Sequence, residues 1–307
     1  MAKIYPKVYF GNRIVEADEA HLSVASSAVL YGLSVYTVFP VSLDTSGKKF
    51  AFRLPEHFER LLNSAKIIGI DTFEPKWNYP KFKKAVQVLI DANIITNSIY
   101  VRVTVHVDAQ IAGTKSRGLS TALSMFIYDA VPILNYEGVR LKTSVWRRIP
   151  DYAIPSRAKV NGAYVNSVLA KQDAIDSGYD DCIFLDVDGH VCELSAANIF
   201  IVRHGRIITP AATHDLLEGI NRRSIIELAQ AELGMEVIER SIDLTELYIA
   251  DEVFATGTST NIAPVLEIDA RVIANGKIGP ITKKLQKIHH DIRHGSHISA
   301  DDWLTIL

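Results

Sequence analysis

The segment SRAKVNGAYVNSVLAK, residues 156–171, combines a lysine in an apolar setting with a glycine-containing turn and the start of a helix. Lys159 stands between an alanine and a valine, and a helical pattern runs from about Tyr164 to Ser177. Most lysines are solvated surface groups, so this residue alone decides little. An apolar setting disfavours the ammonium form, however, and a lysine that loses its proton can form a Schiff base. Lys159 is therefore a candidate catalytic residue.

Three later segments supply a carboxylate and two possible anion sites. VCELSAANIFIV (191–202) places Glu193 in a strand, where a buried carboxylate needs a cation such as a protonated pyridine nitrogen; a glutamate at a hairpin edge is the alternative. In HDLLEGINRRSIIELAQAEL (214–233), Gly219 precedes a helix whose first N–H groups suit a phosphate. DEVFATGTSTNIAPV (251–265) ends a strand in a turn that suits a second anion, although a plain hairpin turn has the same pattern.

The remaining patterns predict an α+β chain of two domains. Strands and tight turns occupy the start of the chain, followed by two amphipathic helices and two β-branched strands. Residues 129–138 contain a proline and no periodicity, which indicates a linker between domains. We therefore expect a small N-terminal domain over residues 1–128 and a large C-terminal domain over residues 139–307.

Composition favours a small-molecule enzyme. The chain has 33 basic and 35 acidic residues, so no strong field favours nucleic acid or an anionic membrane. No signal peptide or membrane-spanning apolar run is visible, and we expect a soluble, cytoplasmic protein. Two cysteines are too few for a disulfide framework. No metal site is predicted, because the histidines near the C-terminus, His289, His290, His294 and His297, are typical of a solvated helix end.

The ordered motifs resemble the class IV (fold-type IV) pyridoxal 5'-phosphate (PLP) aminotransferases, and within them the branched-chain amino acid aminotransferases. The resemblance runs from YGLSVY at Tyr31 to GPITKKLQ near the C-terminus, through the lysine segment, DVDGHVCELSAANIF, LLEGINRRSI and DEVFATGTS. It implies a smaller N-terminal α/β sandwich, a larger C-terminal pseudo-barrel domain and a PLP cofactor. It also implies ping-pong transfer of an amino group from a branched-chain L-amino acid to 2-oxoglutarate, and a homodimer or higher oligomer.

The resemblance assigns cofactor roles to individual residues. Lys159 is similar to the lysine that carries PLP, Glu193 to the partner of the pyridine nitrogen, and Tyr164 to the phenol beside the ring oxygen. Arg60 is similar to the arginine that binds the phosphate. The remaining positions that match cofactor-binding residues are Leu217, Gly219, Ile220, Asn221 and Thr258.

Substrate positions also follow from the resemblance. Tyr100, Thr258 and Ser259 match the group that receives the α-carboxylate, and Arg102 matches the arginine that binds the side-chain carboxylate of glutamate or 2-oxoglutarate. The other matching positions are Tyr36, Val38, Tyr128 and Tyr31, the last of which reaches a neighbouring active site in the family.

Two stretches depart from the family pattern and leave alternatives open. Tyr36-Thr37-Val38 stands where many members have Phe-Glu-Gly, and Ala197 stands where an acidic residue is common. Val38 is expected to narrow the substrate pocket. Thr37 favours a D-amino acid or R-selective amine aminotransferase, or an enzyme like aminodeoxychorismate lyase. A non-catalytic relative that binds a small molecule is a more remote alternative.

Overall fold

The computed structural model describes residues 3–44 and 46–307, which form two compact units. The first unit extends to Val131 and also includes Ala158–Ala163 and Ile292–Leu307, whereas the second comprises Pro132–Arg157 and Tyr164–Asp291. The predicted linker spans the first of these boundaries. The domain limits predicted from the sequence placed the two later segments of the first unit in the C-terminal domain.

The strands and the helices are each numbered in chain order. The strands are β1 (Lys7–Phe10), β2 (Arg13–Glu16), β3 (Ser34–Leu43), β4 (Lys49–Phe52), β5 (Ile99–Val107), β6 (Thr121–Asp129), β7 (Val139–Thr143), β8 (Asp181–Leu185), β9 (Val191–Leu194), β10 (Asn198–Arg203), β11 (Arg206–Thr209), β12 (Val237–Glu239), β13 (Glu252–Gly257), β14 (Asn261–Ile268), β15 (Arg271–Val272) and β16 (Leu304–Ile306). The helices are α1 (Ser27–Leu30), α2 (Leu54–Ile67), α3 (Tyr79–Asp91), α4 (Tyr164–Asp176), α5 (Ile220–Leu233), α6 (Leu244–Tyr248), α7 (Pro280–Arg293) and α8 (Ala300–Trp303).

The first unit is built on a seven-stranded antiparallel sheet in the order β16-β4-β3-β5-β6-β1-β2. Helices α2 and α3 cover one face, where Phe58, Leu61 and Phe82 pack against Phe39 and Val101. Because side chains alternate along a strand, the residues between these core positions lie on the opposite face. That face carries Tyr36 and Val38 of β3, Tyr100 and Arg102 of β5, and Tyr128 of β6.

Residues 158–163 join the first unit by pairing with β3. Val160 forms an antiparallel bridge with Val35, and the N–H of Asn161 donates to the carbonyl of Ser34 over 2.9 Å. Gly32 lies so close that a Cβ on it would be 2.8 Å from the Cα of Gly162. At one edge of the sheet β16 pairs with β4. Such long-range pairings leave no local pattern in the sequence, which explains the difference from the predicted domain limits.

The second unit is a barrel-like sheet of nine strands. Strands β10, β13, β14, β7, β8 and β9 pair in succession, and β9 also pairs with β10, which closes the ring. β11 and β12 extend the sheet beyond β10, and β15 pairs with β14. A core of aliphatic side chains, including Leu141, Ile183, Ile199, Val253 and Val265, is buried within this unit. The predicted α+β class and pseudo-barrel are confirmed.

No helix in residues 3–44 and 46–307 has both the length and the apolar composition needed to cross a membrane.

A half-buried histidine makes the stability of the first unit dependent on pH. Burial and the charge of Arg102 lower the pKa of His106 to about 4, against about 6.5 in an unfolded chain. The unfolded chain therefore binds this proton more readily, and stability falls as pH drops from about 6.5 towards 4. His106 lies 2.8 Å from Ser124 Oγ, a contact that a glutamine can keep.

We predict that His106→Gln reduces the loss of unfolding free energy between pH 7 and pH 4 by on the order of 1 to 3 kcal/mol. Urea denaturation of both proteins at several pH values measures this difference. Identical pH dependence of the two proteins would contradict the prediction.

Candidate active site

Lys159 is held at its backbone between a strand and a helix. Its carbonyl accepts a 3.0 Å hydrogen bond from the N–H of Tyr36 on β3, and its own N–H donates to Ser64 Oγ on α2 over 3.1 Å. The neighbouring residues Ala158 and Val160 are buried. The side-chain nitrogen of Lys159 lies over the ring of Tyr36, 4.9 Å from its centroid. Buried apolar neighbours and an aromatic ring therefore adjoin Lys159.

Arg60 and Ser64 both lie on α2, and Ser64 connects Arg60 to the backbone of Lys159. The hydroxyl of Ser64, which accepts from Lys159, donates to the carbonyl of Arg60 over 2.7 Å. Nη2 of Arg60 donates to Thr37 Oγ1 over 3.3 Å. One serine therefore couples the helical turn that carries the arginine to the backbone that carries the lysine.

His57 completes this arrangement beneath the sheet. Its Nδ1 lies 2.8 Å from Thr37 Oγ1, and its side chain is fully buried. Burial, followed by the charges of Arg60 and Lys159, lowers the pKa of His57 well below its usual value. The imidazole is therefore neutral at pH 7. Since a guanidinium only donates, the Thr37 hydroxyl accepts from Arg60, and it shares a second hydrogen bond with Nδ1 of the imidazole.

Arg102 lies on the face of the first unit's sheet opposite α2 and α3. It stacks on an aromatic ring and donates a hydrogen bond to a side-chain amide. Its guanidinium carbon lies 3.7 Å from the centroid of the Tyr36 ring, and Nη2 donates to Asn161 Oδ1 over 3.1 Å. Asn161 in turn donates from Nδ2 to Ser34 Oγ over 2.8 Å. Val38 lies directly opposite Arg102 in the strand pairing.

Two tyrosines share this face with Arg102. Tyr100 and Tyr128 are paired across β5 and β6, with ring centroids 5.6 Å apart. The structure thus gathers five of the predicted substrate residues on one face, whereas Tyr31 caps α1 with its side chain 45% exposed.

Glu193 in the second unit is a buried, fully paired carboxylate. Oε1 forms a 3.0 Å ion pair with Nη2 of Arg148, and Oε2 accepts from Asn198 Nδ2 over 3.1 Å and from the N–H of Leu217 over 3.3 Å. Only 8% of the side chain is exposed. A charge buried to this degree is stable only when compensated, and Arg148 supplies the compensation. Glu193 is therefore not a solvated hairpin-edge residue.

The helix start and the turn predicted as anion sites lie together in the second unit. Gly219 is the N-cap of α5, and the side chain of Asn221 donates to the carbonyl of Gly257 over 2.7 Å. The N–H groups of Ile220 and Asn221 belong to the first helical turn, where no intrahelical acceptor is available. Thr258 and Ser259 follow Gly257 in the turn between β13 and β14. Tyr164 is the first residue of α4 and is half-buried.

Two glycines are required by close approach in this region. A Cβ on Gly219 would lie 2.1 Å from Asn198 Oδ1, and a Cβ on Gly257 would lie 3.1 Å from the carbonyl oxygen of Ala196. Asn198 Nδ2 also donates to the carbonyl of Leu217 over 2.9 Å. Asn198 therefore connects the carboxylate of Glu193 with the loop that leads into α5.

Several supporting residues had not been identified from the sequence: His57, Ser64, Asn161, Arg148 and Asn198. Each acts on a predicted residue through a contact that is distant in sequence or depends on side-chain orientation. Only the helical spacing of Arg60 and Ser64, four residues apart, offered a local signal.

Comparison with known proteins identifies the family. The sequence pattern of the family "Amino-transferase class IV" matches residues 34–268. The chain belongs to the class IV aminotransferases. It is similar to a probable branched-chain-amino-acid aminotransferase of Aquifex aeolicus, with 37% identity over 97% of this chain and 95% of that protein.

Solved structures show the same similarity. The branched-chain aminotransferase from Thermoproteus uzoniensis with norvaline superposes with a TM-score of 0.92 and 35% identity, over 98% of this chain and 99% of that one. The branched-chain amino acid aminotransferase from Thermobaculum terrenum in its PLP form gives a TM-score of 0.91 and 30% identity, over 99% and 98% of the two chains. This aminotransferase therefore has relatives with the same fold along nearly its whole length.

We predict that Gly219→Ala lowers the kcat/KM for transamination roughly tenfold or more, because the added methyl group displaces Asn198 and thereby Glu193. Gly113→Ala is the matched control, since nothing lies within 4 Å of its added Cβ. Steady-state kinetics and a thermal unfolding midpoint for each variant check the prediction. Equal kcat/KM for the two variants would contradict it.

Proposed function

We propose that the chain is a PLP-dependent aminotransferase that moves an amino group from a branched-chain L-amino acid to 2-oxoglutarate by a ping-pong mechanism. The observation that carries the proposal is Lys159, fixed at its backbone by Tyr36 and Ser64 and coupled through Ser64 to Arg60. A lysine amine and a phosphate-binding cation held by one helix suit a phosphorylated aldehyde. The two solved relatives, one of them in its PLP form, support this assignment.

The residues present fit the cofactor. When bound, PLP supplies an aldehyde carbon that condenses with amines and a ring that withdraws electrons when its nitrogen is protonated. Glu193 is an ionised, buried acceptor suited to that nitrogen, with Asn198 and Leu217 fixing its orientation. In the second unit, the first-turn N–H groups of α5 and the hydroxyl of Thr258 suit a phosphate. In the first unit, the guanidinium of Arg60 suits a phosphate as well. Tyr164 suits the ring oxygen.

Lys159 acts as the proton carrier in the proposed reaction. Its Nζ would take the proton from the substrate Cα, hold it and release it again during the transfer. The hydrogen bonds at the N–H and C=O of Lys159 keep the backbone in place while the side chain moves. Backbone fixation therefore limits the conformational freedom that is lost when the amine is aligned.

Arg102 is proposed to bind the side-chain carboxylate of glutamate and 2-oxoglutarate. Its guanidinium is already oriented by the Tyr36 ring and by Asn161, so little side-chain freedom is lost when a carboxylate binds. Tyr100 and Ser259, with Thr258, are the proposed partners of the α-carboxylate. Tyr36 therefore has a specific role here as the surface on which Arg102 stacks, a role that does not use its hydroxyl.

Thr37 no longer favours the alternative substrates. Its hydroxyl is engaged by Arg60 and His57 on the helix side of the sheet, opposite the face that carries Val38. Val38 is 7% exposed and pairs with Arg102. We therefore assign the substrate range to Val38 and Tyr36, and expect weaker use of the bulkiest branched and aromatic donors.

We propose a homodimer or higher oligomer that includes the surface around Tyr31. Val24, Val29, Leu30 and Tyr31 are apolar or aromatic side chains of which 45% or more is exposed in the single chain. A contiguous apolar stretch of this kind is typical of a protein contact surface.

The proposed function is tested with a panel of amino donors and 2-oxoglutarate. We predict that L-leucine, L-isoleucine and L-valine are used in preference to D-alanine and R-amines, and that Lys159→Ala abolishes turnover while circular dichroism stays unchanged. Preference for D-amino acids or R-amines would replace the substrate assignment. Substantial transamination by Lys159→Ala would overturn the role of the lysine.

We predict that Arg102→Leu lowers kcat/KM for glutamate about ten- to a hundredfold more than for leucine, because only glutamate has a second carboxylate. Arg140→Leu is the control, since Arg140 makes an exposed ion pair with Glu267. Equal losses for glutamate and leucine would place Arg102 at the α-carboxylate instead.

A further inference from the structure

Three possible metal ligands lie together in the second unit, and none of them is used by the proposed transamination. Asp186 follows β8, His190 precedes β9 in the same hairpin, and His214 lies in the loop between β11 and α5. Their ligand atoms all lie within 4.8 Å of one another. Two imidazoles and a carboxylate form a donor set that suits divalent transition metals, zinc above all.

The distances are close to those of a tetrahedral site. Asp186 Oδ2 lies 2.8 Å from His214 Nδ1 and 3.7 Å from His190 Nδ1. Zinc bonds of about 2.0–2.1 Å to nitrogen and oxygen separate neighbouring ligands by about 3.3 Å. The side chain of His190 is 35% exposed, so it can rotate to complete the geometry.

The ligand atoms are oriented by other groups. Asp186 Oδ1 accepts from the N–H groups of Asp188 and His190, at 3.0 and 2.8 Å, which directs Oδ2 to the histidines. His214 Nε2 lies 2.7 Å from Ser241 Oγ. Such a partner at the distal nitrogen is typical of a metal-bound histidine, because it fixes the tautomer.

Among the residues that the structure describes, a hydrogen bond with Asp186 gives Nδ1 of His214 a partner, but Nδ1 of His190 has no such bond. The Nδ1 atom of His190 is buried and has no hydrogen-bond partner in residues 3–44 and 46–307. Burying an unpaired polar atom costs about 1–3 kcal/mol. A cation beside Asp186 Oδ2 would satisfy this atom.

We propose that Asp186, His190 and His214 bind one zinc ion, with water as the fourth ligand. No metal site was predicted from the sequence, and Asp186 and His214, which are 28 residues apart, match no ligand spacing. The ion cross-links the β8–β9 hairpin to the loop that leads into α5. Its role is structural, since it stabilises the folded state by binding there and not to the unfolded chain.

The test uses chelator-treated, PLP-loaded protein carrying His290→Gln and His294→Gln, so that exposed histidines near the C-terminus do not contribute. Zinc chloride is titrated by calorimetry, and cobalt chloride is added separately as a probe of tetrahedral coordination. We expect one ion per chain, a higher thermal midpoint with zinc, and intense visible cobalt absorption. His190→Gln should weaken zinc binding at least about tenfold, whereas His204→Gln, an exposed histidine of the same unit, should not.

X-ray absorption at the zinc edge gives a second measurement that requires no change at the site. Two imidazoles and a carboxylate or water in the zinc shell support the proposal. Zinc binding that is equal in the His190→Gln and His204→Gln proteins, a shell without imidazole, or no binding at micromolar zinc would each overturn it. Transamination is not the readout, so failure of the metal site leaves the proposed function unaffected.

Discussion

The pairing of residues 158–163 with β3 is the constraint on which the first unit's site depends. It places Lys159 beside Tyr36 by two backbone contacts, at β3 and at Ser64 of α2. The same segment supplies Asn161, which orients Arg102. One short stretch of extended backbone therefore fixes both the proposed proton carrier and the proposed carboxylate-binding arginine. Its glycine approaches Gly32 too closely for a larger residue, so the pairing depends on Gly162 and Gly32 as well.

In the second unit, the buried charge of Glu193 is compensated by neighbouring groups. Glu193 is held in a closed, barrel-like sheet, where an uncompensated carboxylate would be costly. Arg148 provides the opposite charge, while Asn198 and Leu217 use the other carboxylate oxygen. Arg148, Asn198 and Leu217 therefore hold both carboxylate oxygens in place, as an acceptor for a protonated ring nitrogen requires. Asn198 Oδ1 also lies 2.1 Å from the position that a Cβ on residue 219 would occupy.

Local patterns predicted the secondary structure well, for physical reasons that are visible in the structure. The Gly11-Asn12 turn has positive φ at both residues, as a two-residue hairpin requires. Helix α2 has Pro55 in its first turn and ends before Gly69. The sequence could not predict the closure of the barrel by β9 and β10 or the pairing of β16 with β4. Neither depends on residues close together in the chain.

The predicted site was identified by resemblance, and the structure adds contacts that resemblance does not contain. Thr37 was noted as a departure that favoured other substrates, yet its hydroxyl connects Arg60 with a buried, neutral His57. Tyr36 differs from the phenylalanine of the family pattern by one hydroxyl, and Arg102 stacks on its ring. Side-chain orientation decides both roles, and an unaligned sequence does not specify it.

The central claim is that Lys159 carries the cofactor. Treating the PLP-loaded protein with sodium borohydride and mapping its peptides by mass spectrometry identifies the lysine that is covalently bound. The account predicts a phosphopyridoxyl group on the peptide that contains Lys159, and no labelling after addition of excess L-leucine before reduction. Labelling of a different lysine, or of none, would contradict it.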